Sequence, residues 1–328
     1  MTMEYVGFGN TGIRVSPLCL GTMTFGKEAD EKTSFGLMDR AFDVGVNFFD
    51  TANIYNKGVT EQIVGKWLKS RRDRIILASK VHFATGEGPN DRGSSRRHIL
   101  MEVEKSLERL QTDWLDILYL HHWDPETPIE ETLSALTTLV EQGKVHYCGV
   151  SNFSAWQVMK AVGASHLGGF APIACIQPMY NLVKRQAEVE ILPMAFAEGL
   201  AVCPYNPLAA GLLTGKYSRG EQGRLSDNAM YQARYGDPLY AEVVDRFVAY
   251  ALEKGKSPAA LAVAWVMTHP AVTSAIIGAR NLEQLDDTIG CLDIAVPSEE
   301  RSEVSALSSE PAPATDRSEE REPGKGMQ

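Results

Sequence analysis

The chain has 328 residues, 44% of them hydrophobic and 23% charged, which is ordinary globular usage with enough sequence to bury a large core. Its formal net charge of −10, with no Lys/Arg run longer than Arg71-Arg72, argues against nucleic acid as a partner. No apolar run approaches the roughly 20 residues that span a bilayer, and the start MTMEYVGFGN lacks the basic and apolar segments of a signal peptide. No membrane association is expected, and the chain is expected in the cytoplasm. Its five cysteines, Cys19, Cys148, Cys175, Cys203 and Cys291, are odd in number, widely spaced and without a C-x-x-C pair. They read as buried thiols in a reducing compartment, with no metal bound.

The first element is a hairpin, YVGF and IRVS joined by GNTG. Gly7-Phe8-Gly9-Asn10-Thr11-Gly12 fits the G-x-G-x-x-G of a dinucleotide-binding turn. It is followed by IRVSP, however, an alternating segment ended by Pro17, so no helix opens there and a glycine-rich hairpin turn is expected. Short apolar runs then recur at 18–22, 46–50, 75–80, 116–121, 147–151, 175–178, 201–205 and 273–278. Several (LCLG, VNFF, IILA, ILYL) are apolar at nearly every position, as a strand covered on both faces requires.

Helical patterns lie between them at 31–44, 60–70, 94–110, 129–142, 154–162, 185–198 and 258–269. The third is clearest: Ile99, Val103, Leu107 and Leu110 share one face, and Ser94 is the expected N-cap. Strands alternating with helices in this way predict an α/β fold, a (β/α)8 TIM barrel with an N-terminal β-hairpin and long loops at the C-terminal face. A doubly wound open sheet is the alternative. Residues 1–307 are expected to form this single domain. Residues 308–328, rich in Pro, Glu and Ser, are expected to be a disordered tail. The segments 206–237 and 83–92 (FATGEGPNDR) fall on the C-terminal face, where long loops act as lids or binding loops.

Asp50, Tyr55, Lys80 and His121 sit at or just beyond the ends of three successive strands, where a parallel barrel builds its active site. A phenol with an unperturbed pKa of about 10 donates a proton better when a lysine cation lowers that value. A carboxylate holds the ammonium in place, and a histidine beside the phenol orients a carbonyl oxygen or relays the proton. Each residue alone reads as an ion-pair member, a rim aromatic or a core histidine; four together at strand ends read as a site. His122 is expected to point away from His121, because side chains alternate along a strand. A metal site of His121, His122 and Cys148 lacks a carboxylate at the usual spacing.

The stretches GTMTFG, NFFDTANIYNKGVTEQIVGKWL, ASK, DILYLHHWDPETPIEETL, GKVHYCGVSNFSAWQ, IQPMYNLVKR, CPYNPLAAGLLTGKY and IIGARNLEQLDD resemble, in order, those of the aldo-keto reductase family. The resemblance spans about residues 4–307. It implies a (β/α)8 barrel that binds NADPH (NADP+) without a Rossmann fold and reduces a small-molecule aldehyde or ketone by hydride transfer. By motif, Tyr55 is the proton donor, Lys80 and Asp50 its tuning pair and His121 the orienting group. Gly21, Thr22, Met23 and Asp50 fall on the cofactor side of the site. Ser151, Asn152 and Gln177 match residues that hold the nicotinamide amide, and Tyr205 matches the aromatic that stacks on its ring.

Asn206, Pro207, Leu208, Gly211, Lys216 and Arg224 match the loop over the pyrophosphate, and Gly278, Ala279, Arg280, Gln284 and Asp287 the adenosine phosphate segment. Asp287 stands where the family more often has Glu, and Thr288 where Asn is usual. The C-terminal tail differs from the apolar tails of many members. Trp123, Phe25 and Trp156 read either as lining of the apolar pocket mouth or as buried packing. Some family members serve as partners of membrane channels, so the alternative is an NADPH-binding regulatory subunit with little turnover.

Overall fold

The structure, a computed structural model, describes residues 3–315. The hairpin forms from β1 (Val6–Gly7) and β2 (Arg14–Val15), with Val6 opposite Val15. Its turn needs Gly9 at φ +54, where a Cβ would meet the backbone of Gly199 and Ala201 at 2.7 and 2.6 Å. The G-x-G-x-x-G is thus a hairpin packed against another loop, as its flanking sequence predicts.

The main sheet comprises β3 (Leu18–Gly21), β4 (Phe48–Asp50), β5 (Ile76–Val81), β6 (Leu115–Leu120), β7 (Val145–Ser151), β8 (Ile173–Gln177), β9 (Ala201–Val202) and β10 (Ala275–Ile277). All pairings are parallel, in the order β10-β3-β4-β5-β6-β7-β8-β9. The ends meet through Thr273 N–H to the Val202 carbonyl at 2.8 Å and Ile276 N–H to the Pro204 carbonyl at 2.9 Å. This is the (β/α)8 barrel. The expected strand 201–205 is regular only over Ala201–Val202, but its bonds to the β8 side continue through Cys203 N–H to the Ile176 carbonyl at 2.9 Å and Tyr205 N–H to the Pro178 carbonyl at 3.0 Å.

Around the barrel run α1 (Glu31–Asp43), α2 (Val59–Leu68), α3 (Arg96–Leu110), α4 (Ile129–Glu141), α5 (Ala155–Gly168) and α6 (Ile191–Ala197). Further along are α7 (Arg224–Asp227), α8 (Ala229–Tyr235), α9 (Pro238–Glu253), α10 (Pro258–Met267), α11 (Leu282–Ile289) and α12 (Ser298–Ser305). Three expectations change. The pattern at 154–162 continues to Gly168, and that at 185–198 divides into a 3-10 turn, Gln186–Glu188, and α6. The N-cap of α3 is Ser95, whose hydroxyl accepts from His98 N–H at 3.3 Å. Ser94 instead gives its backbone N–H to Asp124 at 2.7 Å.

Two apolar cores result. The larger lies between the strands and the helices, where Leu18, Leu20, Phe49, Leu77, Leu118 and Val150 meet Leu37, Ile99, Leu136 and Trp265. The smaller fills the lumen with Cys19, Phe48, Ala78, Ile117, Tyr119, Cys175, Ala201 and Cys203, floored by Phe8 and Val15 from the hairpin. All five cysteines are free and buried. Among the described residues, no helix is long and apolar enough to cross a membrane. Residues 308–315 form no helix or strand, and the rest of the expected tail, 316–328, lies outside the described residues.

Candidate active site

Period-two alternation builds the site. Phe48, Ala78, Tyr119 and Cys175 face the lumen, so two residues further along each chain Asp50, Lys80, His121 and Gln177 also face inward, at the C-terminal mouth. Lys80 is buried to 1% exposure. Its Nζ donates to Asp50 Oδ1 and to the Thr51 carbonyl at 2.8 Å, and lies 3.3 Å from the Tyr55 hydroxyl. Tyr55 opens a 3-10 turn, Tyr55–Gly58, after β4, and its ring meets that of His121 edge-on at 6.0 Å.

Burial pulls the Lys80 ammonium toward deprotonation, but Asp50 and Tyr55 together more than offset it, and Lys80 titrates above its ordinary value. For Tyr55 the balance runs against the expectation. Burial raises the phenol above its ordinary value, and the opposing pull of Lys80 only reduces that rise. Tyr55 is therefore a neutral, protonated phenol near neutrality. Burial, then the Lys80 charge, hold His121 well below the usual imidazole range, so its ring is neutral, and its buried Nδ1 has no hydrogen-bond partner. His122 is exposed and turned to the Trp123 carbonyl, 2.8 Å from its Nδ1. No metal-binding cluster occurs among the described residues.

A cavity of about 270 Å3 opens above these groups. Gly21, Thr22, Met23, Asp50, Tyr55, His121, Ser151, Asn152, Gln177 and Tyr205 line it, while Lys80 lies behind Asp50 and Tyr55. The amides are engaged with their neighbours. Gln177 Nε2 donates to Asp50 Oδ2 at 2.9 Å, Asn152 Nδ2 to the His121 carbonyl at 2.9 Å, and Tyr205 OH to Asn152 Oδ1 at 2.6 Å.

A second cavity, of about 400 Å3, adjoins the first through Asn206, Arg224 and Gly278. Pro207, Leu208, Gly211, Lys216, Ala279, Arg280, Gln284 and Asp287 line it. Gly211, at φ +88, allows the turn against which Lys216 lies; a Cβ there would come within 2.9 Å of Lys216 Cε. Burial lowers the Lys216 pKa, and the Arg280 and Arg224 cations add to the effect. Neither Lys216 nor Arg280 has a carboxylate partner among the described residues, and Arg224 Nε is buried without a hydrogen bond. Glu28 stands 4.0 Å from that Nε. Glu221 and Asp227 offset part of the Lys216 shift, and Glu221, Glu283 and Asp287 share the lining, yet none pairs with Lys216 or Arg280, so the three cations suit an anionic ligand such as a phosphate. Asp287 is occupied by the Ser257 hydroxyl at 2.5 Å, and Thr288 bonds back to the Gln284 carbonyl at 2.7 Å.

Some lining residues were not singled out in the sequence. Ile54, Met230, Tyr231 and Arg234 join the first cavity, as does Phe83, whose ring lies 4.8 Å from that of His121. Thr24 borders both cavities and donates to the Ala279 carbonyl at 2.7 Å. Of the two readings of Phe25, Trp123 and Trp156, mouth lining or packing, the structure favours packing for the first two, and none of the three lines either cavity. Phe25 is fully buried in the outer core, Trp156 is 61% exposed on α5, and Trp123 packs edge-on against Phe153 at 5.3 Å.

The family model described as Aldo/keto reductase family matches residues 17–309. The chain is 43% identical to "Uncharacterized oxidoreductase YrpG" of Bacillus subtilis, over 90% of this chain and 93% of that protein. It is 36% identical to a "Probable voltage-gated potassium channel subunit beta" of Oryza sativa, over 89% and 92% of the two chains. It is 34% identical to "Norsolorinic acid reductase A" of Aspergillus parasiticus, over 90% of this chain and 78% of that protein. The barrel, the residues at its mouth and these matches have one conclusion: the chain belongs to the aldo/keto reductase family of oxidoreductases.

Proposed function

We propose that the protein reduces an aldehyde or ketone to the alcohol using NADPH, with Tyr55 as the proton donor. The observation behind this is the buried Lys80, bonded to Asp50 and 3.3 Å from the Tyr55 hydroxyl, beneath a cavity that adjoins a cationic groove. The groove suits the diphosphate and 2′-phosphate of NADPH through Lys216, Arg224 and Arg280. Ser151, Asn152, Gln177 and Tyr205 would hold the nicotinamide end, Gln177 and Asn152 exchanging their present partners for its amide.

When bound, NADPH supplies the hydride that adds to the carbonyl carbon. Tyr55 and the neutral His121 ring donate hydrogen bonds to the carbonyl oxygen and fix its position. As charge grows on that oxygen, Tyr55 passes its proton to it, and the Lys80 cation stabilises the phenolate left behind. Asp50 keeps Lys80 charged and aimed.

The identity to a channel beta subunit favours a second reading, an NADPH-binding regulatory subunit. A sensor needs the groove but not the acid. NADPH absorbance with a panel of aldehydes, compared between the wild type and Tyr55→Phe, tests both. The expected outcome is NADPH binding by both proteins and turnover at least about 100-fold faster in the wild type. Equal turnover would remove Tyr55 from its role; binding without turnover in either protein would favour the regulatory reading.

A further inference from the structure

Arg234 is the one cation of the first cavity that the groove does not share. Arg224 borders both cavities, whereas Arg234 borders only the one above Tyr55 and His121. It is half-buried in the last turn of α8, its guanidinium 5.8 Å from the Tyr231 ring centroid. Among the described residues no carboxylate pairs with it. Asp50 is the sole carboxylate lining this cavity, and its two oxygens are taken by Lys80 and Gln177.

The helix that presents Arg234 is anchored. Tyr231 and Tyr235 are 3% and 2% exposed, and the Tyr235 hydroxyl accepts from Asn181 Nδ2 at 3.1 Å. Arg234 also acts on the site electrically. Burial raises the Tyr205 phenol to about 12, and the opposing effect of Arg234 is felt by the same phenol that senses Tyr55 and Lys80. A cation in a helix's last turn is favoured by the helix dipole alone, but that does not require it to line a cavity. Beyond the residues assigned to the cofactor and to catalysis, and apart from Arg234 and Thr24, whose hydroxyl is taken by the Ala279 carbonyl, the lining is apolar or aromatic, with Ile54, Phe83, Met230 and Tyr231 among it.

We propose that the substrate is a carbonyl compound bearing a carboxylate, which Arg234 binds while Phe83, Ile54 and Met230 hold the carbon skeleton. One unpaired guanidinium matches a monoanion, which it can grip with two parallel N–H donors. An anion held by Arg234 and a carbonyl oxygen held by Tyr55 and His121 would fix the substrate at two points of the same cavity. The inference rests on the reductase reading.

The test compares 4-formylbenzoate with its methyl ester, which differ in charge but little in shape. The wild type should prefer the acid in kcat/KM. Arg234→Gln should lower the acid-to-ester ratio by about 10- to 100-fold, chiefly through KM, the size of a lost charge-assisted bond. Arg234→Lys should restore part of it. A ratio unchanged in Arg234→Gln, including an equal loss on both substrates, overturns the proposal. Calorimetric titration of 4-formylbenzoate into NADPH-loaded Tyr55→Phe protein, with and without Arg234→Gln, needs no turnover. A Kd at least about tenfold weaker without Arg234 supports the anion site, and an unchanged Kd overturns it. Failure of the reductase reading appears separately, as no NADPH consumed with either aldehyde.

Discussion

Gln177 Nε2 donates to Asp50 Oδ2 across 2.9 Å while Lys80 holds Oδ1, so this carboxylate is satisfied from two sides of the lumen. β4 and β8 stand four places apart in the eight-stranded order, and the contact ties opposite walls of the barrel together beneath the cavity.

That arrangement sets a stability prediction. Asp50→Asn strands the Lys80 cation in a site with 1% exposure, and Lys80→Met strands the carboxylate; each should cost about 3–5 kcal/mol. The double variant removes both charges and should lose much less than the sum. Denaturant midpoints for the four proteins measure this, and additive losses would show that the two charges do not support each other. Because the folded pKa of Lys80 is raised, its contribution is complete below about pH 10.5 and is lost as pH climbs through the folded value.

Gly211→Ala probes the groove. The φ of +88 strains any L side chain, and the new methyl would press on Lys216. We expect a loss of more than about 1 kcal/mol in stability and NADPH affinity weaker by about tenfold. Fluorescence titration reads the second effect; unchanged affinity would mean that Lys216 is not held against this turn for binding.

Arg280→Gln addresses cofactor choice. If Arg280 meets the 2′-phosphate, its loss should weaken NADPH by about 10- to 100-fold and leave NADH almost unaffected. Equal weakening of the two cofactors would place Arg280 on a group that they share.

His269 predicts acid sensitivity far from the mouth. Burial first, and then the Arg301 cation, lower its pKa to about 4, and its Nδ1 accepts the Ala271 N–H at 3.1 Å. An unfolded histidine takes up its proton near pH 6.5. Between those values the unfolded chain holds more protons, so stability falls as pH drops from about 6.5 toward 4. His269→Gln should flatten that dependence between pH 7 and 5 in denaturant titrations; an unaltered slope assigns it to other histidines, His121 among them.

Much of the barrel is legible in the sequence because a strand covered on both faces is apolar at nearly every position, as ILYL at 117–120 is, and such a run is too short for a buried helix like α10, which is buried over eight successive residues. Asp50, Tyr55, Lys80 and His121 are legible for the same reason, as polar groups where those runs stop. α9 was also readable: Asp237 caps it, Pro238 opens it, and Val243, Val244, Phe247 and Ala251 form its buried stripe. It lay beyond a segment that reads only as a lid. Arg234, Met230 and Tyr231 were not readable, since their place depends on how that lid folds back over the mouth. The direction of the Tyr55 shift depends on how deeply the phenol is enclosed against its distance from Lys80, which spacing does not encode.

The hairpin that imitates a nucleotide-binding turn has a consequence for traffic. With Phe8 and Val15 sealed into the lumen under Cys19, Phe48 and Ile117, the barrel is a cup with a single opening. A ligand of the cavity therefore enters and leaves at the C-terminal mouth, past the turn-and-helix segment that bears Arg224 and Arg234.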